Sequence, residues 1–241
     1  MSQKLTVQEF GIVIAVKNHK PTILNPDFLK YSGIVPSEWE LARQPVLTNN
    51  VVQIAYTSGV NIIAEPSRIM FLESIEGKEI TQVEIPEIVR KYVQALPNLE
   101  YEGVGLNPRS HITFEQQQDA GKYLSETLLA PGEWQEIGKA KVRASLNLVY
   151  SLERSPFYLS INEAAIRQED ETMTPIVMFN GSFSYELTGD NSSERLFSLQ
   201  QVINNWQADI EIYQEIISKN FVDKKVESFI QIPVLAMDTV S

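Results

Sequence analysis

This chain of 241 residues contains no cysteine and only two histidines. Without cysteine there are no disulfides, no thiolate catalysis, no iron–sulfur clusters and no cysteine zinc sites. His19 and His111 belong to no H-x-x-x-H or H-x-H pattern, the spacings at which paired histidines bind a metal. We therefore predict no metal and no cofactor. We assign no catalytic residue. Whether the protein is an enzyme stays open, and we favour a non-enzymatic protein.

A long apolar run is also missing. No window approaches the roughly 18 to 20 apolar residues that span a bilayer. The first twenty residues lack the basic start, apolar core and small-residue cleavage site of a signal peptide. These features predict a cytoplasmic protein that does not bind membranes.

Positive charge is scarce as well. The net charge is −11, and such a chain repels the phosphate backbone whose neutralisation drives most nucleic-acid binding. The most basic stretch, KAKVR at 139–143, carries three cations only. We therefore predict no nucleic-acid partner for this acidic protein.

The hydrophobic pattern predicts an α+β fold, with antiparallel sheets and helices packed on one face. Residues 142–152 show the cleanest alternation of apolar and polar positions, which is typical of a half-buried strand. The pattern predicts strands at 7–17, 51–57, 60–64, 68–73, 99–106, 142–152, 157–165 and 175–187, and helices at 85–98, 114–129 and 192–221.

Two regions follow from this order. Residues 1–130 form a predicted N-terminal α+β half, and residues 131–241 a C-terminal antiparallel sheet with a long helix. One continuous domain is the alternative. Each half reads as three strands followed by a helix, and VQIAY at 52–56 resembles LNLVY at 146–150, so a duplicated β-β-β-α plan is a further possibility. The proline-rich segment 21–45 reads as a long connection, and such connections are usually functional or mobile.

The stretch YEGVGLNPRSH at 101–111 resembles a dinucleotide-binding loop, but Pro108 stands where the third glycine is required. We interpret it as the end of a strand, with Asn107 and Pro108 forming a turn. The alternative is a site for a small anion or other ligand at 107–111. In that case Arg109, Ser110 and His111 precede a helix N-terminus, where backbone N–H groups attract anions.

The predicted helix at 192–221 carries an apolar seam at heptad spacing. It includes Leu199, Ile203, Trp206, Ile210 and Tyr213. This seam either packs on the sheet of the same chain or contributes to a subunit interface, where the two aromatic residues would be natural anchors. The acidic residues Glu163 and 169–171 are expected to lie on a solvated face. Residues after Phe221 are expected to form a closing strand or a docked tail.

The preferred function is a non-enzymatic protein that binds a protein partner or itself, with a homo-oligomer as one form. The first alternative is a metal-independent enzyme or ligand binder with its site at 107–111. The second is a client-binding chaperone, because the sheet-then-helix order is loosely similar to that of SecB-like proteins. That likeness rests on topology alone, and topology does not carry function by itself.

Overall fold

The computed structural model describes residues 4–168 and 170–223. These residues form nine strands in a single antiparallel sheet of order β2-β3-β4-β5-β1-β6-β9-β8-β7. The strands are β1 (Thr6–Lys17), β2 (Val46–Leu47), β3 (Val52–Ala55), β4 (Val60–Glu65), β5 (Arg68–Ser74), β6 (Glu100–Thr113), β7 (Ser145–Ser151), β8 (Pro156–Arg167) and β9 (Met173–Glu186).

One face of this sheet carries the helices. In the described residues they are α1 (Pro26–Tyr31), α2 (Ile85–Ala95), α3 (Gln117–Lys122), α4 (Ser192–Asn204) and α5 (Trp206–Ile217). α2 packs over β1 and β5, α4 lies beside α2 over β6, and α5 crosses β6 and β9. The predicted α+β class with helices on one face is confirmed. The described strands, which were expected in more than one sheet, form a single sheet.

Strand alternation decides which side chains meet the helices. In the central strand β1, Phe10, Ile12, Ile14 and Val16 are buried in a core cluster that also contains residues of the helices. The residues between them face the other side of the sheet, as the two-residue period requires. That second face carries no helix among the described residues, and we call it the open face.

The two predicted halves meet inside this sheet. Strands β3, β4 and β5 are consecutive neighbours in the sheet and are followed along the chain by α2. Strands β7, β8 and β9 are likewise consecutive neighbours and are followed by α4. β6 of the first half pairs with β9 of the second, from Gly103–Glu186 to Thr113–Ile176. The division at residue 130 stays a prediction, while the sheet itself is continuous across it.

The predicted turn at Asn107 and Pro108 is wrong, because β6 runs straight through both residues to Thr113. Pro108 pairs with Phe10 of β1 on one side. On the other side, the ladder between β6 and β9 has no pair between Leu106–Phe183 and Arg109–Asn180. Proline has no N–H to donate, and this gap accommodates it in the middle of a sheet.

The single helix predicted at 192–221 is two helices. Asn205 separates α4 from α5, with φ −103° and ψ 12°. Its side-chain amide donates to the Gln201 carbonyl at 2.9 Å, and its backbone N–H instead contacts the Val202 carbonyl. The side chain thus competes with the helical backbone for the i−4 acceptor and breaks the helix. A π-helical turn, Ser218–Val222, follows α5.

The helix predicted at 114–129 is also shorter than expected. α3 begins at Gln117 instead of residue 114, because β6 continues to Thr113, and a π-helical turn, Tyr123–Leu128, follows α3. The proline-rich segment 21–45 contains α1 and buries Leu24, Leu29, Ile34 and Val35 in the core. The predicted tail lies mostly outside the described residues, which end at Asp223.

Across residues 4–168 and 170–223, every helix is too short or too polar to cross a bilayer.

Candidate functional site

The three predicted site residues of β6 do not converge. Ser110 points to the helix face, where its hydroxyl lies 2.5 Å from the hydroxyl of Tyr213 on α5. Arg109 points to the open face. The buried His111 contacts the side chain of Gln8 at 2.8 Å, and burial lowers its pKa, opposed by the charge of Glu76. Because β6 continues as a strand, neighbouring residues take opposite faces.

Arg109 belongs instead to a polar row that crosses the open face. Its Nη1 lies 3.2 Å from Oε1 of Glu9 on β1, and its Nε donates to Oδ1 of Asn180 on β9 at 2.9 Å. Asn180 in turn donates to Oγ of Ser160 on β8 at 3.3 Å. Each contact joins residues directly opposite one another in the sheet register, and Asn147 on β7 stands opposite Ser160.

A groove of about 590 Å³ contains this row. Its floor lies where the β6–β9 ladder has its gap, so Asn107, Pro108, Gly181 and Ser182 line it. One side is apolar and formed by β1 and β5, and the other is formed by β7 and β8. The apolar side chains on these two sides are Val13, Met70, Leu72, Val149 and Tyr158.

The chemistry of the groove is nearly neutral. Its charged side chains, Glu9 and Arg109, pair with each other. Its other polar groups are amides and hydroxyls, which donate and accept hydrogen bonds equally well. The groove therefore suits a ligand that presents neutral donors and acceptors together with apolar groups.

The apolar seam of the predicted long helix packs on the sheet of its own chain. Leu199, Ile203, Trp206, Ile210 and Tyr213 are all buried in the core cluster. Trp206 stacks on Phe10 of β1, with ring centroids 5.4 Å apart. Of the two alternatives for the seam, the structure therefore shows the first, in which the helix packs on the sheet of its own chain. These five side chains are not exposed for a subunit interface.

A second cleft surrounds Glu163 of β8. The expectation of a solvated carboxylate is wrong here, because this side chain is 7% exposed. Oε2 accepts from Gln117 at 3.1 Å and lies 3.4 Å from Nη2 of Arg143, while Oε1 is buried without a hydrogen-bond partner. Lys122 and Lys141 also line this cleft of about 610 Å³. Glu169, grouped with Glu163 in sequence, lies outside the described residues.

A third polar cluster is structural. Asp209 of α5 is buried, 3.0 Å from Nη1 of Arg154, and both its oxygens accept from the hydroxyl of Tyr185 at 2.9 Å. Burial raises the pKa of Asp209, opposed by the Tyr185 hydrogen bond and by Arg154. Burial also raises the pKa of Tyr185 to about 12. The cluster ties the loop between β7 and β8 to α5.

Sequence patterns signal the groove weakly. Small polar residues alternate with apolar ones along β8 and β9, as in Ser160 and Asn162 and in Asn180, Ser182 and Ser184. That alternation places them on one face, but the partner strands that complete the row lie far away in sequence. In the part of the chain that the structure describes, no group of three or more His, Asp or Glu side chains is placed to hold a metal ion.

These features define an acidic α+β protein whose sheet, within residues 4–168 and 170–223, has nine strands, one helix-covered face and one open, grooved face. No protein-family model matches the sequence, and no curated protein sequence matches it.

Proposed function

We propose that this protein binds an extended segment of another protein in the groove of its open face. The observation that carries the proposal is the polar row Glu9–Arg109–Asn180–Ser160, set between two apolar sides. Peptide groups present the neutral donors and acceptors that amides and hydroxyls match. Apolar side chains of the segment would lie against Met70, Leu72 and Tyr158.

The charge of the groove supports a protein ligand over an anionic polymer. Arg109 is its cation, and Glu9 already neutralises it. The net charge of −11 also opposes the approach of a phosphate backbone. A neutral or basic protein segment meets neither obstacle.

A photo-reactive amino acid at position 158 tests this proposal. Tyr158 lines the groove and is 46% exposed, while Tyr31 on α1 is 89% exposed and provides the matched control. We expect crosslinks to a defined partner from position 158 in an extract of the source cell, and not from position 31. A synthetic peptide with the crosslinked sequence should then bind the purified protein, measured by fluorescence anisotropy.

Two matched substitutions refine the test. Tyr158→Asp should weaken the binding of that peptide by about tenfold or more, because it places a charge in a desolvated contact. Tyr31→Asp adds the same charge outside the groove and should leave the affinity within about twofold. Equal crosslinking at both positions, or equal affinities of both variants, would contradict the proposal. Many unrelated partners at position 158 would favour the chaperone form of this function.

Glu163 supports a second candidate, a small-molecule site. Its partnerless Oε1 requires a hydrogen-bond donor, while Lys122 and Lys141 of the same cleft favour an anionic group. A small acid that also carries an N–H or O–H donor fits both. In a thermal-shift screen of such compounds, a true ligand should raise the Tm of the wild type and not of Glu163→Ala. A screen in which both proteins respond alike would remove this candidate.

A further inference from the structure

Among the residues that the structure describes, the outer strand β7 is an unprotected edge of the sheet. Its seven residues, SLNLVYS, contain no charge and no proline. Among the described residues it pairs with β8 alone, so one row of its backbone N–H and C=O groups is left without a strand partner. Sheet edges are usually protected by charge, proline or short length. The opposite edge strand, β2, has only two residues.

The side chains of β7 are also incompletely covered. Val149 on the open face is 64% exposed. On the helix face, Leu146, Leu148 and Tyr150 are half-buried, because α5 lies over β6 and β9 and does not extend over β7. An additional strand beside β7 would cover these side chains on both faces.

We propose that β7 pairs antiparallel with β7 of a second copy of this chain, with the two-fold axis at Leu148. Residues opposite each other in an antiparallel pair lie on the same face, so even-numbered residues must meet even-numbered ones. An axis at Leu148 satisfies this rule and pairs all seven residues of β7. An axis at Asn147 or Val149 pairs only 145–149 or 147–151.

The flanking charges favour the same register. With the axis at Leu148, Arg143 comes next to Glu153 of the second copy, and Glu153 next to its Arg143. Both residues are exposed, with the Arg143 side chain at 77%. Two opposite-charge contacts thus border an uncharged strand pair. This matters because two chains of net charge −11 otherwise repel each other.

The absence of cysteine makes a crosslinking test direct. Native mass spectrometry of the purified full chain should show a species of twice 27.3 kDa. Leu148→Cys introduces a single cysteine that meets its own copy on the axis, so mild oxidation should give a covalent dimer. Asn147→Cys and Val149→Cys should crosslink at least about tenfold more slowly, since each meets the other position rather than itself.

Charge reversal tests the register independently. Arg143→Glu or Glu153→Arg alone places like charges together twice and should weaken the dimer about tenfold. The double variant restores opposite charges and should return to within about twofold of the wild type. The single variant Arg143→Glu and the double variant both lose the contact between residue 143 and Glu163. Comparing these two variants therefore isolates the contact between copies.

Three results would overturn the proposal. The first is a monomeric wild type, which would leave the β7 edge to residues 224–241 or to another protein. The second is self-crosslinking at position 147 or 149 that is faster than at position 148. The third is a double charge-reversal variant whose dimer is no tighter than the dimers of the single variants. The test uses purified protein alone, so its outcome is separate from that of the groove.

Discussion

The backbone N–H of Ile85, in the first turn of α2, donates a hydrogen bond of 2.9 Å to the buried carboxylate of Glu73 on β5. The same oxygen accepts from the Glu84 N–H at 2.8 Å, and Lys78 donates to the other oxygen at 2.7 Å. The first N–H groups of a helix have no partner within the helix. A strand residue twelve positions earlier thus caps α2 and attaches it to the sheet.

Replacing Glu73 with Gln should lower the free energy of unfolding by about 2–4 kcal/mol, because a charged acceptor is lost while the buried N–H of Ile85 still requires one. Urea unfolding followed by circular dichroism measures the change. Glu115→Gln, on an exposed residue, is the control and should stay within about 0.5 kcal/mol of the wild type. Equal stabilities of the two variants would show that Glu73 does not hold α2.

The hydroxyls of Ser110 and Tyr213 should be energetically coupled. Tyr213 donates to the Phe179 carbonyl at 2.8 Å, so the Ser110 hydroxyl donates to Tyr213 across 2.5 Å. Tyr213→Phe should cost about 1–3 kcal/mol, since two buried groups lose their partner. With Ser110→Ala added, the total should be at least about 0.5 kcal/mol less than the sum of the single effects. Additive effects in this double-mutant cycle would mean that the two hydroxyls act independently.

Gly181 is required by close packing beneath the groove. A Cβ atom there would lie 2.8 Å from the ring of Tyr213 and 3.0 Å from that of Phe157. Gly181→Ala should therefore destabilise the protein by about 1–3 kcal/mol, the usual range for overpacking a core. Ser182→Ala, the next residue and on the open face, should change stability by less than about 0.5 kcal/mol. Thermal unfolding of the two variants under one condition makes the comparison.

Acid should destabilise the protein through its two histidines. Burial lowers the pKa of His19 and of His111 in the folded state. A lowered folded pKa means that their contribution is fully present above the unfolded pKa, about 6.5, and is lost as pH falls through the folded value. Tm should therefore fall between about pH 7.5 and 5.5.

A variant with His19→Gln and His111→Gln should show a flatter Tm profile over this range, whatever its stability at pH 7.5. Burial raises the pKa values of Glu84 and Asp209, so their contributions run in the opposite direction and are lost as pH rises. Comparing the variant with the wild type at each pH removes this background. Parallel profiles would show that the histidines do not control the acid response.

Local alternation was enough to locate most strands. The strand predicted at 142–152 corresponds to β7, Ser145–Ser151, and the one predicted at 7–17 to β1, Thr6–Lys17. In β7, the side of the sheet on which a residue lies follows from its position in a two-residue period. Prediction failed at two single residues: Pro108 was expected to end the strand that in fact continues through it, and Asn205 was not recognised as a helix break.

The candidate site was only partly visible in the sequence. Arg109 was identified, but its partners Asn180 and Glu9 come from β9 and β1. Their register depends on which strands become neighbours, which no local pattern specifies. Glu163 was expected in water for the same reason, since the cleft that buries it is assembled from three separate segments.

The sequence by itself determined the composition, the excluded cysteine chemistry, the acidic charge and the α+β class, because these depend on residue content and short-range periodicity. Tertiary structure alone decided that β6 and β9 join the two halves in one sheet, that the groove opens at the gap beside Pro108, and that β7 is an edge of the sheet formed by the described residues. Each of these depends on contacts between residues distant along the chain, where the geometry of the whole sheet decides which side chains meet.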